Sequence, residues 1–116
     1  MEHPFSITAT LKVDKEGICF LNGKRIELLR QIILTGSILG ASKKMDMSYQ
    51  QAWTYVQQMN LLSPHPMVIR KRGGVNGGGA EITRFGQDMI ERYEQIVAVH
   101  EANVRQLGDE LLFSIF

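Results

Sequence analysis

The chain has 116 residues, 44% of them hydrophobic and 22% charged, which suits one folded domain with its own core and excludes a disordered chain. Its single cysteine, Cys19, excludes an internal disulfide and predicts a reducing, cytoplasmic location. The sequence has no basic segment followed by an apolar run at its start and no window apolar enough to span a bilayer. We therefore expect neither a signal peptide nor a membrane partner.

The formal net charge of +1 hides an uneven distribution of charge along the chain. Residues 37–84 carry six cations against two anions, whereas residues 85–116 carry two cations against six anions. A basic middle and an acidic end are expected when the middle of a protein faces a polyanion. Chance clustering of solvated charges is the alternative.

Two short strands, "TATLKV" and "ICFL", are predicted within residues 1–21, joined by a turn from Asp14 to Gly17. A helix is predicted over residues 23–35, because Asn22 is a suitable N-cap and Gly36 suits the position just beyond the helix. The apolar residues at helical spacing in this segment are Ile26, Leu29 and Ile33.

Residues 37–60 are predicted to form a helix-turn-helix. Ser37 caps a short first helix, and Ser48 opens the second helix with Gln51 three residues later, as in a capping box. One face of the second helix is predicted to pack and contains Tyr49, Ala52, Trp53 and Val56. The opposite face contains Gln50, Gln51, Thr54, Gln57 and Gln58. Such an uncharged amide face is unusual for a surface helix, and glutamine can pair with the edge of adenine in the major groove. A neutral solvated face is the alternative.

A two-stranded ribbon is predicted over residues 67–83, with "MVIRK" and "AEIT" flanking a glycine-rich tip. The tip lacks the lysine of a P-loop, fails G-x-G-x-x-G and lies between two strands, which excludes a nucleotide-binding loop. Few side chains project from the tip, so its backbone could approach a phosphate closely, and Asn76 could hydrogen-bond a groove edge. A ribbon directly after a helix-turn-helix is typical of the winged form.

A long helix is predicted over residues 84–112, capped by Thr83. Its apolar positions have nearly heptad spacing, and at about 40 Å the helix is too long for so small a domain to cover. We therefore expect a homodimer through this helix, although a frayed monomeric end is possible. Besides Phe85 at its start, the predicted dimerisation seam contains Met89, Tyr93, Ile96, His100, Val104, Leu107 and Leu111.

Together these elements predict an α+β fold, mainly α with small β ribbons: a winged helix-turn-helix domain with a long C-terminal dimerisation helix. The expected partner is double-stranded DNA. The candidate DNA-binding residues are Lys43, Lys44, Ser48, Gln50, Gln51, Thr54, Gln57, Arg70, Lys71, Arg72, Asn76 and Arg84. Scattered histidines and one cysteine give no metal-ligand spacing, so no metal, cofactor or enzyme activity is predicted. A protein-interaction module and an oxyanion-binding module remain as alternatives.

Several segments resemble the N-terminal DNA-binding domain of the ModE family of molybdate-responsive transcriptional regulators. The matching motifs are G-S-I, S-Y-x-x-A-W, M-N-x-L-S, G-G-x-x-G-G-G-A and T-R-F-G-Q, spread over residues 20–98. The resemblance implies a LysR-like winged helix that dimerises through its last helix and regulates molybdate-uptake or molybdenum-cofactor genes. The positions that match the family's recognition helix are Ser48, Gln50, Gln51 and Thr54. Those that match its wing are Gly73, Gly74, Gly77, Gly78 and Gly79.

Two departures from the family pattern are visible. The chain stops at Phe116 without the small-barrel module that binds molybdate in full-length members, which makes molybdate binding by this chain doubtful. Our hypothesis is constitutive DNA binding, or control by a separate protein or another signal. Position 50 is glutamine where the family pattern has lysine, so the preferred operator is expected to differ.

Overall fold

The computed structural model describes residues 5–71 and 78–115, and within these ranges it contains four helices and two antiparallel two-stranded ribbons. In chain order the elements are β1 (Lys12–Lys15), β2 (Ile18–Asn22), α1 (Gly23–Thr35), α2 (Ile38–Lys44), α3 (Tyr49–Leu62), β3 (Val68–Lys71), β4 (Gly79–Ile82) and α4 (Arg84–Ile115). The fold is mainly helical with small β ribbons, as the sequence predicted.

The first ribbon is tighter and shorter than predicted. Its connecting turn consists of only Glu16 and Gly17, which both have positive φ angles, 52° and 81°. Two successive residues with positive φ are typical of a two-residue hairpin turn, which lets β1 continue to Lys15. The prediction that the first strand begins at Thr8 is wrong, because regular pairing starts at Lys12, opposite Asn22.

Helix α1 lies at the centre of the core. Its bounds match the prediction, since Asn22 accepts a hydrogen bond from the backbone N–H of Arg25 and Gly36 adopts the left-handed conformation with φ of 76°. The predicted inward residue Ile33 is instead 50% exposed. Other elements pack against α1 on more than one side, so its buried face is wider than a single apolar stripe. This face includes the fully buried Leu28 and Ile32 but not Ile33.

The helix-turn-helix is formed by α2 and α3, joined by a turn of four residues. Asp46 in this turn has a φ of 55°, and the N–H of Met47 donates to the carbonyl of Ser42 at 3.0 Å. Helix α3 buries Ala52, Val56 and Met59 against the core and ends at Leu62, two residues later than predicted.

The second ribbon, β3 and β4, is the predicted wing. Val68 pairs with Ile82 at its base, and both side chains are buried in the core. The wing predictions for Arg72, Gly73, Gly74, Asn76 and Gly77 lie outside the described residues.

Helix α4 has 32 residues and ends three residues later than predicted. Thr83 caps it by accepting a hydrogen bond from the N–H of Gly86 at 3.0 Å. Its length gives the molecule dimensions of 60 × 28 × 22 Å, since the second half of the helix extends beyond the packed domain. Arg30 ties α1 to α4 through Glu94, and its hydrogen bonds to Glu94 and Glu27 raise the pKa of the guanidinium.

Candidate nucleic-acid interface

Ser48 caps the first turn of α3, which lies exposed on the protein surface. Its hydroxyl accepts a hydrogen bond from the backbone N–H of Gln51 at 3.0 Å, which satisfies one of the unpaired donors at the start of the helix. The Gln51 side chain does not bond back to Ser48 as the predicted capping box requires. It donates to the hydroxyl of Tyr55 at 3.1 Å. Ser48 is thus the predicted N-cap, and the helix presents its start on the protein surface.

The exposed face of α3 carries amides and a hydroxyl but no charge. Its exposed residues include Gln50, Gln51, Thr54 and Gln57, all predicted as DNA-binding residues. The hydroxyl of Thr54 donates to the carbonyl of Gln50 at 2.9 Å, which leaves the methyl group of Thr54 as the outward end of the side chain. This surface therefore offers amide donors and acceptors beside a methyl group.

Gln58 does not belong to this face, contrary to the prediction. It is half-buried and accepts a hydrogen bond at 2.7 Å from the guanidinium of Arg25, a residue that is itself only 7% exposed. Arg25 also donates to the carbonyl of Cys19 at 2.9 Å and stacks on the ring of Tyr55 at 4.8 Å. Gln58 therefore helps to satisfy a buried cation, and its role is structural.

Tyr49 does not pack inside, which corrects the prediction that it does, whereas Trp53 packs against the edge of the core as predicted. Tyr49 is 43% exposed and Trp53 is half-buried. Both contact Arg70 of β3: the guanidinium donates to the Tyr49 hydroxyl at 2.8 Å and lies 4.0 Å from the centroid of the Trp53 ring. The wing and the start of α3 are thus joined by an aromatic–arginine contact.

The cations around this face differ in their surroundings. Lys43 and Lys44 are exposed on the last turn of α2, next to the turn that leads into α3. Lys71 forms an ion pair with Glu81 at 3.0 Å, and Arg84 forms one with Asp88 at 3.4 Å. Exposed pairs of this kind are weak, so both cations remain able to contact a phosphate.

The sequence analysis did not predict two contacts that hold the wing in place. The N–H of Ala80 in β4 donates to the carbonyl of Gly36 at 2.9 Å, and Asn60 of α3 bonds the backbone of Met67 and Val68 at the base of β3. Asn60 could have been found from its spacing, because it lies four residues after the buried Val56. A polar side chain on an apolar helix face requires hydrogen-bond partners.

The predicted dimerisation residues fall into three groups on α4. Met89 and Tyr93 pack in the domain itself: the Tyr93 hydroxyl donates to the carbonyl of Leu11 at 2.6 Å, and burial raises the pKa of that hydroxyl. His100 and Val104 line a groove under the N-terminal segment, residues 5–9. Those that remain exposed on the helix are Ile96, Leu107 and Leu111, together with Val99.

The described residues offer no metal site, and one of their histidines, His65, is packed against an aromatic ring. In the described ranges, no three His, Cys, Asp or Glu side chains come together in a way that could hold a metal ion. His65 packs its ring edge-on against Phe85, with 5.3 Å between centroids, which gives it a packing role. None of the described helices is both long and apolar enough to cross a membrane.

No protein-family model matches the chain, but individual proteins do. It is 38% identical over 104 residues to the DNA-binding transcriptional dual regulator ModE of Escherichia coli K12, covering 90% of this chain and 39% of that protein. It is 33% identical over 103 residues to the molybdenum transport protein ModE of Azotobacter vinelandii, covering 89% and 38%. The chain therefore spans well under half the length of these relatives.

A solved structure shares the fold. The full-length LysR-type regulator LysG of Corynebacterium glutamicum, with its effector bound, superposes with a TM-score of 0.55 at 21% identity, covering 78% of this chain and 29% of that one. This similarity supports the winged helix-turn-helix assignment and nothing beyond the fold. With the sequence similarity along most of its length, the chain belongs to the ModE family, as a counterpart of the N-terminal domain of those regulators.

Proposed function

We propose that this chain is a sequence-specific, double-stranded-DNA-binding transcriptional regulator. In this proposal α3 enters the major groove, and the wing and the end of α2 contact the flanking phosphates. The genes it controls serve molybdate transport or molybdenum-cofactor synthesis. This last part rests on the names of the related proteins, which include a transcriptional regulator and a molybdenum transport protein.

The observation that carries the proposal is the exposed amide face of α3 flanked by cations. Gln50, Thr54 and Gln57 are exposed on α3. Lys43 and Lys44 precede this helix on α2, and Arg70 lies beside its first turns. Amides can give a donor and an acceptor to the N6 and N7 edge of adenine, and a threonine methyl can contact that of thymine. The cations supply affinity for phosphates independently of sequence.

A homodimer through α4 is part of the proposal. Ile96, Val99, Leu107 and Leu111 lie exposed along the part of the helix that extends from the domain, where a second copy could cover them. A two-fold dimer would place two recognition helices on successive major-groove segments about 34–36 Å apart. We therefore expect a pseudo-palindromic binding site.

The test is selection of bound sites from a random duplex pool by the 116-residue chain. We expect recovery of an inverted repeat, bound about a thousandfold or more tightly than a scrambled duplex at physiological salt. Recovery of no common sequence, with equal binding of selected and scrambled duplexes, would contradict sequence-specific recognition. Absence of any DNA binding would favour a protein-interaction module.

A further inference from the structure

Arg70 belongs to the wing by sequence but contacts the recognition helix. Its guanidinium donates from Nη2 to the hydroxyl of Tyr49 at 2.8 Å and lies over the ring of Trp53 at 4.0 Å. Tyr49 and Trp53 are four residues apart and therefore adjacent on one side of the first turns of α3. A single side chain of β3 thus spans the start of the helix proposed to enter the major groove.

The partners of Arg70 leave its charge intact. Tyrosine and tryptophan are neutral, and within residues 5–71 and 78–115 no carboxylate forms an ion pair with Arg70. Its neighbour Lys71, in contrast, is paired with Glu81. A guanidinium has five N–H donors, and the single tyrosine hydroxyl accepts from one of them. Most of the donor capacity of Arg70 therefore remains available to an acceptor outside the chain.

The contact also restrains Arg70 before any ligand arrives. A free arginine on a surface strand loses rotamer freedom when it binds a phosphate, and this loss weakens binding. Here the ring of Trp53 and the hydroxyl of Tyr49 both contact the guanidinium, and two contacts at different atoms restrict its rotamers. A planar fork held in one orientation is suited to two parallel hydrogen bonds with phosphate oxygens.

We propose that Tyr49 and Trp53 are positioning residues that hold Arg70 as a preorganised ligand for one backbone phosphate at the junction of wing and recognition helix. The proposal rests on the proposed DNA binding. It assigns Arg70 to the edge of the major groove occupied by α3 instead of to the tip of the wing. It also gives a function to the exposed Tyr49 of the S-Y-x-x-A-W segment and a second one to Trp53, which packs against the core.

The test compares two conservative variants with a neighbouring control. Arg70→Lys keeps the charge but loses the planar fork, and Tyr49→Phe removes only the hydroxyl; the control is Lys71→Gln, on the next residue of the same strand. Each full chain is first checked for an unchanged melting temperature. Affinity is then measured by anisotropy on the selected duplex and on a scrambled one, as a function of salt concentration.

We expect both variants to bind both duplexes about two- to fivefold more weakly than the unchanged chain. This factor corresponds to about 0.5–1 kcal/mol, at about 1.4 kcal/mol per tenfold change in affinity, and reflects a less well oriented cation and not the loss of a charge. The salt slope should stay unchanged in both, because the number of cations is conserved, whereas Lys71→Gln should lower it by about 0.9 if Lys71 meets a phosphate.

Trp53 is the sole tryptophan of the chain, so its fluorescence reports on the contact without DNA. Arg70→Lys should change the emission of the free protein, and Lys71→Gln should not. Equal binding by Tyr49→Phe and the unchanged chain would overturn the positioning role, and equal binding by Arg70→Lys would overturn the need for a planar fork. A loss confined to the selected duplex would overturn the phosphate assignment. Failure of the unchanged chain to bind any duplex would overturn the proposed function itself and, with it, this role of Arg70.

Discussion

The side chain of Asn60 bonds the backbone of Val68 in both directions. Its Oδ1 accepts from the amide N–H of Val68 at 3.1 Å and its Nδ2 donates to the carbonyl of Val68 at 2.9 Å. The same Oδ1 accepts from the N–H of Met67 at 2.8 Å. One side chain at the C-terminal end of α3 therefore fixes the base of the wing relative to the recognition helix.

The first prediction follows from this contact. Asn60→Ala should lower the free energy of unfolding by about 1–3 kcal/mol, because it leaves part-buried backbone groups of Met67 and Val68 unpaired. Urea denaturation measures the change. Gln57→Ala, on the exposed face of the same helix, is the control and should change stability by no more than about 0.5 kcal/mol. Equal stability of the two variants would show that the wing base is held by other contacts.

A second prediction concerns Gly86 in the first turn of α4. A Cβ added there would lie 2.6 Å from the carbonyl oxygen of Met67 and 2.7 Å from Cγ2 of Ile82. Because one of these neighbours is backbone, Gly86→Ala should destabilise the domain by about 1–3 kcal/mol or more. The matched change Gly23→Ala, where the added Cβ meets nothing within 4 Å, should be neutral or stabilise α1 by up to about 1 kcal/mol. Thermal unfolding of the two variants distinguishes these effects; a neutral Gly86→Ala would contradict the close packing of α4 on the wing base.

Gln50 and Gln58, which have different surroundings on α3, give a third prediction. Gln50→Ala should reduce the preference for the selected duplex over a scrambled one by about 1–3 kcal/mol without loss of stability. Gln58→Ala should instead destabilise the fold, because it removes one of the two acceptors of the Arg25 guanidinium and leaves the Cys19 carbonyl as the other. Anisotropy on both duplexes and urea denaturation are measured for each variant. An equal loss on the two duplexes after Gln50→Ala would exclude Gln50 as a base-reading residue.

A fourth prediction tests the electrostatic part of the interface. Lys43→Gln and Lys44→Gln should each lower the slope of log affinity against log salt by about 0.9 if each residue contacts a phosphate. Arg105→Gln removes an equal charge from the far half of α4 and should leave the slope unchanged. If all three variants lower the slope alike, the cations act through net charge and the proposed orientation on DNA is wrong.

A fifth prediction concerns the homodimer. Leu107 is 64% exposed on the extended half of α4, and Leu107→Glu should shift the chain from dimer to monomer because a charge would lie in an apolar seam. Sedimentation equilibrium measures the shift. Leu61→Glu changes a residue that is 82% exposed at the end of α3 and should leave the assembly intact. A monomeric unchanged chain, or dissociation by both variants, would contradict a dimer through α4.

Local signals in the sequence predicted the helices well. The caps Asn22, Ser37 and Ser48 have short polar side chains that bond the first turn, and Gly36 stops α1, so the starts of three helices follow from residues close in sequence. The order of these elements along the chain then predicted the winged helix-turn-helix arrangement, and the family resemblance agreed with it. The strands of the first hairpin were predicted less well. Its tight turn needs a positive φ at Glu16, and glutamate is not a residue that signals such a turn.

Contacts between distant residues were not predictable in the same way. Helical spacing places Tyr49 and Trp53 on the apolar side of α3, yet whether that side meets the core or a strand depends on where β3 lies. Arg70 is 21 residues from Tyr49 in sequence, and their contact exists only because the ribbon returns beside the helix. Gln58 was misplaced for the same reason, since its partner Arg25 comes from another helix.

In the proposed function, α3 and the wing form the surface that meets DNA. The most direct measurement is NMR mapping of backbone amide shifts in the 116-residue chain as the selected duplex is added. We predict large shifts in residues 48–57 and in β3 and β4, and small shifts in residues 100–112 of α4. Shifts concentrated in α4 or the N-terminal segment, with α3 unchanged, would contradict the account.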